Sequence, residues 1–133
     1  MLARQLTIEE LASEIPDGSK VALPPDYAYC ALSAVRALIR QQKRELHLVG
    51  VPSLGFQADM LIGAGCVATV ETAAVTLSEY GLAPRFTAAV KSGAITMMDA
   101  TCPAIHAALQ ASEKGIPFIP LRGLLGSDIL KNR

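Results

Sequence analysis

Apolar positions along this 133-residue chain follow two alternating rhythms, one helical and one of short continuous runs. Thr7 followed by Glu10 is a capping box that opens a short helix over Ile8 to about Ile15, with Ile8, Leu11, Ala12 and Ile15 on one stripe. Pro16-Asp17-Gly18 ends it with turn chemistry. Lys20 to Leu23 then reads as a short buried strand, closed by Pro24-Pro25. From about Tyr29 to Gln42 the spacing is helical, with Leu32, Val35, Leu38 and Ile39 on one face. Arg36, Arg40, Lys43 and Arg44 gather on its far side and at its C-terminal end, where the helix dipole favours cations.

Glu45 to Val51 predicts a second strand, stopped by Pro52. A mixed stretch over Phe56 to Ile62 leads to the glycine turn Gly63-Ala64-Gly65. Val67 to Val75 is rich in β-branched residues and predicts a third strand. Pro84 suits the first turn of a helix running to Lys91 with Gly93 as its cap, and Ala94 to Met98 predicts a fourth strand. Pro103 opens a further helix carrying Ile105, Ala108 and Leu109 to about Lys114, ended by Gly115. Ile116 to Leu121 is a fifth apolar run, broken by Pro117 and Pro120, and Arg122 to Gly126 reads as a loop. Short strands alternating with helices predict an α/β fold with a largely parallel sheet. The sequence stops soon after Ile129-Leu130 with no closing helix, so residues 1–133 are expected to form a single, incomplete domain, the front part of something larger.

Composition narrows the function classes. Hydrophobic residues make up 51% and charged ones 18%, which excludes disorder and requires a core. Twelve Lys and Arg balance twelve Asp and Glu, so bulk charge draws the chain to neither nucleic acid nor an anionic membrane. No Trp and only 5% aromatics also argue against base-stacking platforms. Mean hydropathy is +0.36, yet the longest apolar stretch, Met60 to Val70, falls short of the ~20 residues a spanning helix needs. Glu9, Glu10 and Glu14 lie where a signal peptide would be apolar. Three scattered cysteines without a CxxC pair suit free thiols, and a cytoplasmic protein is expected. So apolar and uncharged a chain is expected to hide part of its surface against a partner.

Candidate chemistry is sparse. Gly63-Ala64-Gly65-Cys66-Val67-Ala68 matches G-x-G-x-x-A, a dinucleotide fingerprint that needs a strand before it and a helix after it. Strand-forming residues follow instead, and Pro84 and Arg85 stand where the ribose-binding acid belongs, so a tight turn leading into a strand is the better reading. His47 and His106 are far apart without partner ligands at metal-binding spacing, so both read as structural and no metal is expected. Cys66, in a glycine turn, is the cysteine with a prospect of reactivity. No G-x-S-x-G elbow anchors a hydrolase triad. The acids Glu71, Glu79, Asp99 and Asp128 remain, with Arg85 and Arg122 as cations able to hold a carboxylate or phosphate. Asp99 ends an apolar strand, where open α/β sheets place ligands. Residue patterns alone stop at an α/β domain with glycine turns.

Several segments, taken in order, resemble the α subunit of the family I coenzyme A transferases, of the kind found in glutaconate CoA-transferase. They are Asp17-Gly18 before Val21-Ala22-Leu23, then Arg44-Glu45-Leu46-His47-Leu48-Val49, Ala58 through Cys66, and Ala83-Pro84-Arg85-Phe86. Gly115-Ile116-Pro117-Phe118-Ile119-Pro120-Leu121-Arg122-Gly123 with Gly126-Ser127-Asp128 completes the set, which matches about the first half of such a chain. The resemblance implies a three-layer α/β/α sandwich with a mostly parallel sheet and a partner β subunit in a hetero-oligomer. It implies transfer of CoA from an acyl-CoA thioester to a carboxylic acid, with the thioester as substrate and no tightly bound cofactor. The glutamate that carries CoA belongs to the partner in glutaconate CoA-transferase-like enzymes, so it is not assigned to Glu71 or Glu79. Gly63, Gly65, Cys66 and Arg122 would shape the substrate cleft, with Asp99 as the catalytic candidate, lying near the acid of related ring-opening CoA hydrolases. One departure stands out: the family's first strand continues into Gly-Gly-Phe and then Gly-x-Pro, whereas this chain has Pro24-Pro25-Asp26-Tyr27. The alternatives are therefore a subunit of a ring-opening acyl-CoA hydrolase, or a non-catalytic remnant or binding module.

Overall fold

The structure, a computed structural model, describes residues 4–132. Helices and strands alternate: α1 Ile8–Ser13, β1 Lys20–Leu23, α2 Leu32–Arg40, β2 Leu46–Gly50, α3 Phe56–Gly63, β3 Val67–Thr72, α4 Pro84–Ser92, β4 Thr96–Asp99 and α5 Cys102–Lys114. Short 3-10 turns occupy Ser78–Tyr80 and Asp128–Asn132. The four strands form one sheet in the order β1-β2-β3-β4, and every pairing is parallel.

Register fixes what each face of the sheet carries, because paired residues of parallel strands point the same way. Val21, Leu48, Val70 and Met97 share one face. They join a single apolar cluster with Ala12 of α1, Val35 and Leu38 of α2, Ala58 and Leu61 of α3, and Phe86 and Ala89 of α4. Leu46, Leu48 and Leu61 are fully buried there, each contributing roughly 2 kcal/mol by leaving water. Ala22, Val49, Glu71 and Met98 share the other face. There α5 supplies Ile105, Ala108 and Leu109 to a cavity of about 410 Å³ shared with Ala22, Val49 and Glu71. The result is the expected α/β/α layering, four helices on one face and one on the other.

Several local expectations are corrected. The Phe56 to Ile62 stretch is helical, and α2 begins only at Leu32 because Tyr29 takes a left-handed conformation, φ 64°. The β1 strand is less buried than expected: it is an edge strand, and of its four residues Leu23 alone is buried. The third strand stops at Thr72, leaving Val75 in an isolated bridge with Leu54. Ile116 to Leu121 joins no strand, since Pro117 and Pro120 withhold two ladder donors, and the run lies against α5 instead. Among the described residues no helix is long and apolar enough to cross a membrane.

Candidate functional site

At the carboxyl end of a parallel sheet the strand-to-helix loops converge, and here those loops are pinned to one another. After β1 the chain enters Pro24-Pro25, which supply no N–H, and then Asp26. The Asp26 carboxylate accepts the Phe56 N–H at 2.7 Å, at the first residue of α3. It also takes the Cys30 thiol, Sγ to Oδ1 3.4 Å. Gly55 leaves room for it: a Cβ there would stand 2.2 Å from Asp26 Oδ2, so a side chain at this position would displace the carboxylate. Gln57, fully buried on α3, grips both ends of the same loop: its Oε1 accepts the Ala31 N–H at 2.9 Å and its Nε2 donates to the Pro24 carbonyl at 3.3 Å. Burial, and then the Asp26 carboxylate, push the Cys30 thiol above its ordinary pKa.

The ends of β2 and β3 are locked in a similar way. Gly50 leaves no room for a side chain, since a Cβ would fall 2.1 Å from Thr72 Oγ1. That buried hydroxyl lies 3.1 Å from the Pro52 carbonyl and 3.0 Å from the Ala74 carbonyl, tying together the two strand exits. The loop after β3 is closed by Leu77 N–H to the Gly81 carbonyl, 2.8 Å, and by Thr76 Oγ1–H to the same carbonyl, 3.1 Å. A cavity of about 330 Å³ lies between these loops, lined by Asp26, Phe56, Leu77, Ser78, Glu79 and Tyr80.

Asp99, half-buried at the end of β4 and in register with Thr72, belongs to this carboxyl end. Gly63, Gly65 and Cys66 lie at the opposite end, where α3 leads into β3. There Gly63 packs against Arg85 (a Cβ would meet Arg85 Cδ at 2.6 Å), and Gly65, φ 74°, lies just beyond the helix. G-x-G-x-x-A is thus a helix ending followed by a strand, without the helix N-terminus a pyrophosphate needs. Cys66 is 2% exposed and its burial raises the thiol's pKa, so it has neither the access nor the acidity of a reactive cysteine. Arg122 is exposed on the loop beyond α5. The structure therefore does not gather the sequence-derived candidates into one place. Asp26, Gln57 and Thr72 were not among the site candidates drawn from the sequence. Of these, only Asp26, directly after two prolines, carried a turn-type signal.

On the α5 side of the sheet Glu71 Oε2 lies 3.4 Å from Lys20 Nζ and 3.3 Å from His47 Nε2. The His47 contact lacks hydrogen-bond geometry. Burial, and then the Lys20 ammonium, hold the imidazole below its ordinary pKa, with Glu71 pulling the other way. It is therefore neutral near pH 7, and the contact is a polar one between uncharged ring and carboxylate. His106 is exposed on α5. Among the described residues no group of three His, Cys, Asp or Glu side chains is placed to hold a metal ion.

Comparison with known proteins gives this geometry a context. No family model matches the chain. It is 32% identical over 135 aligned residues to the A chain of 3-oxoadipate CoA-transferase from Pseudomonas knackmussii, covering 98% of this chain and 47% of that protein. It is 31% identical to an uncharacterised protein of Archaeoglobus fulgidus, again over 98% of this chain but 30% of the relative. The chain thus spans less than half the length of these curated relatives. Among solved structures, the decarboxylase AibA/AibB superposes with a TM-score of 0.88 at 28% identity, over 96% of this chain and 50% of that one. Glutaconate coenzyme A-transferase of Acidaminococcus fermentans superposes with a TM-score of 0.85 at 24% identity, over 95% and 40%, and speaks for the fold.

Proposed function

Because this chain is a family I coenzyme A transferase α-subunit-like protein, we propose that it serves as one of two unlike subunits that move CoA between an acyl-CoA thioester and a carboxylic acid. The observation that carries this reading is the match, along 98% of the chain, to one of the chains of a CoA-transferase. In the reaction proposed, a glutamate carboxylate of the partner attacks the thioester carbonyl and releases CoA as its thiolate, leaving an acyl anhydride. The thiolate then attacks the glutamyl carbonyl and expels the first acid, so CoA stays on the enzyme until an acceptor carboxylate reverses both steps. This chain's part is to form a fixed wall at the carboxyl end of its sheet, with Asp99 as its candidate carboxylate and the Pro24–Cys30 loop held by Gln57 and Asp26. The CoA thioester is substrate, and the scheme uses no resident cofactor.

The test is to incubate the purified two-chain complex with an acyl-CoA and a second carboxylic acid. Formation of the second thioester, with a CoA adduct on one partner glutamate by intact mass, is the expected result. Asp99→Asn is expected to slow the exchange at least tenfold while leaving the complex assembled. Pro24 and Pro25 favour a second reading, because two prolines give no N–H to an acyl oxyanion at the first loop. Release of free CoA and acid without exchange would mean a hydrolase subunit, and no turnover of any acyl-CoA would mean a remnant or binding module.

A further inference from the structure

The strand-to-helix connections at the carboxyl end of the sheet, residues 24–31, 51–55, 73–83 and 100–101, contain neither Lys nor Arg. Asp26, Glu79 and, at the tip of β4, Asp99 bring negative charge to that end. Cations stand instead at the other end: Arg40, Lys91 and Lys114 lie in the last turns of α2, α4 and α5, and Lys43 and Arg44 lead into β2. Arg85, near the start of α4, packs against Gly63 at that opposite end. The chain as a whole is formally neutral, so this separation sets up a field along the sheet that bulk composition hides.

The cavity of about 330 Å³ between the β1–α2 and β3–α4 loops lies within the negative end, and its size is near the lower limit for small-molecule sites. Phe56, Leu77 and Tyr80 supply apolar and aromatic wall, and each loop contributes one carboxylate, Asp26 or Glu79. These walls are fixed before anything binds. The Phe56 N–H and the Cys30 thiol hold the Asp26 carboxylate, and each of its oxygens keeps a second lone pair for a further donor. The bonds from Leu77 and Thr76 to the Gly81 carbonyl close the facing loop. The N-terminus of α3 offsets part of the Asp26 charge, so the exposed Glu79 supplies most of the field.

We propose that this cavity receives the far end of the acyl group and that this end bears a positive charge, so that the acids exchanging CoA are ω-amino acids. This rests on the reading of the chain as a CoA-transferase subunit and adds the substrate class. An ammonium in the cavity donates to the two carboxylates and lies against aromatic rings, and both contacts favour it over a methyl group. A second carboxylate in the same place meets two like charges with no Lys or Arg in either loop to offset them, which disfavours dicarboxylic acids by repulsion.

The experiment gives the two-chain complex acetyl-CoA and one of three acids of equal chain length: 3-aminopropanoate, butanoate or succinate. Their far ends are an ammonium, a methyl and a carboxylate. Each turnover breaks the acetyl thioester, forms the new thioester and releases acetate, so both products should rise together. In kcat/KM, 3-aminopropanoate is expected to exceed butanoate by roughly threefold or more and succinate by roughly thirtyfold or more. Glu79→Gln should shrink the 3-aminopropanoate-to-succinate ratio about fivefold or more, whereas Glu113→Gln, exposed on α5, should leave every rate within about twofold of wild type. If succinate or butanoate leads, or if Glu79→Gln leaves the ratio unmoved, the charge preference is wrong while the transferase reading stands. Exchange with none of the three acids also overturns the inference, and the transferase reading falls with it only if no other carboxylic acid exchanges either.

Discussion

Replacing Gln57 by alanine removes both hydrogen bonds of a fully buried side chain. The Ala31 N–H and the Pro24 carbonyl both lose their partner. Leaving such groups unpaired and opening a small void costs about 2–4 kcal/mol, read as a lower urea midpoint with an unchanged slope. His47 makes a prediction of a different kind. The unfolded chain takes up a proton on this ring near the ordinary value of 6.5, whereas the folded chain does so only at lower pH. Its contribution is therefore fully present above the unfolded value and is lost as pH falls through it toward the folded one. Lys20 and Glu71 are the charged groups facing the ring. Urea midpoints should drop as pH falls through the ordinary histidine value of 6.5, and His47→Gln should flatten the drop; equal slopes in both proteins would refute this origin. Strand alternation alone puts His47 on the opposite face from Leu46 and Leu48. It gave no hint of Gln57, whose flanks Phe56 and Ala58 fit a polar surface position as well as a buried one.

Four helices end in one way: the chain turns left-handed and two N–H groups reach back to the last turn. After α3, α4 and α5 the turning residue is Gly65, Gly93 or Gly115. After α2 it is Gln42, φ 54°, with Gln42 N–H to the Ile39 carbonyl and Lys43 N–H to the Leu38 carbonyl. Gln42→Gly should thus stabilise the protein by about 1 kcal/mol, and Gly115→Ala should cost about the same, both measured by chemical denaturation. These endings explain how much of the fold could be read from the sequence. Glycine after an apolar stripe, and proline at the first turn, mark α4 and α5 within a residue or two. The α3 helix has Gly65 beyond its end but no proline at its first turn and no single apolar stripe, because it buries Gln57, Ala58, Asp59, Leu61 and Ile62 and so lacks one polar face to set its period. The Gly-x-Gly turn was legible as a turn leading into a strand, but its place at the end of the sheet far from Asp99 depends on α3 and was not.

At the scale of the whole molecule the sheet is unevenly clothed. One face lies under four helices, while the other has α5 and a cavity of about 410 Å³. The inner strands β2 and β3 pair on both sides, and β1 and β4 each pair on one. Amide exchange should accordingly be slowest at Leu48 to Gly50 and Val70 to Thr72, near the global limit, and faster along β1 and β4 through local opening; equal protection across the sheet would argue that the remaining surface is covered. The strand order has a consequence for how the protein is made. Lys20 pairs with His47, His47 with Thr69, and Thr69 with Thr96, steps of 27, 22 and 27 residues. No strand skips a neighbour, so each one emerging from the ribosome meets a partner already outside, and the sheet can grow in the order of translation without waiting for its last strand.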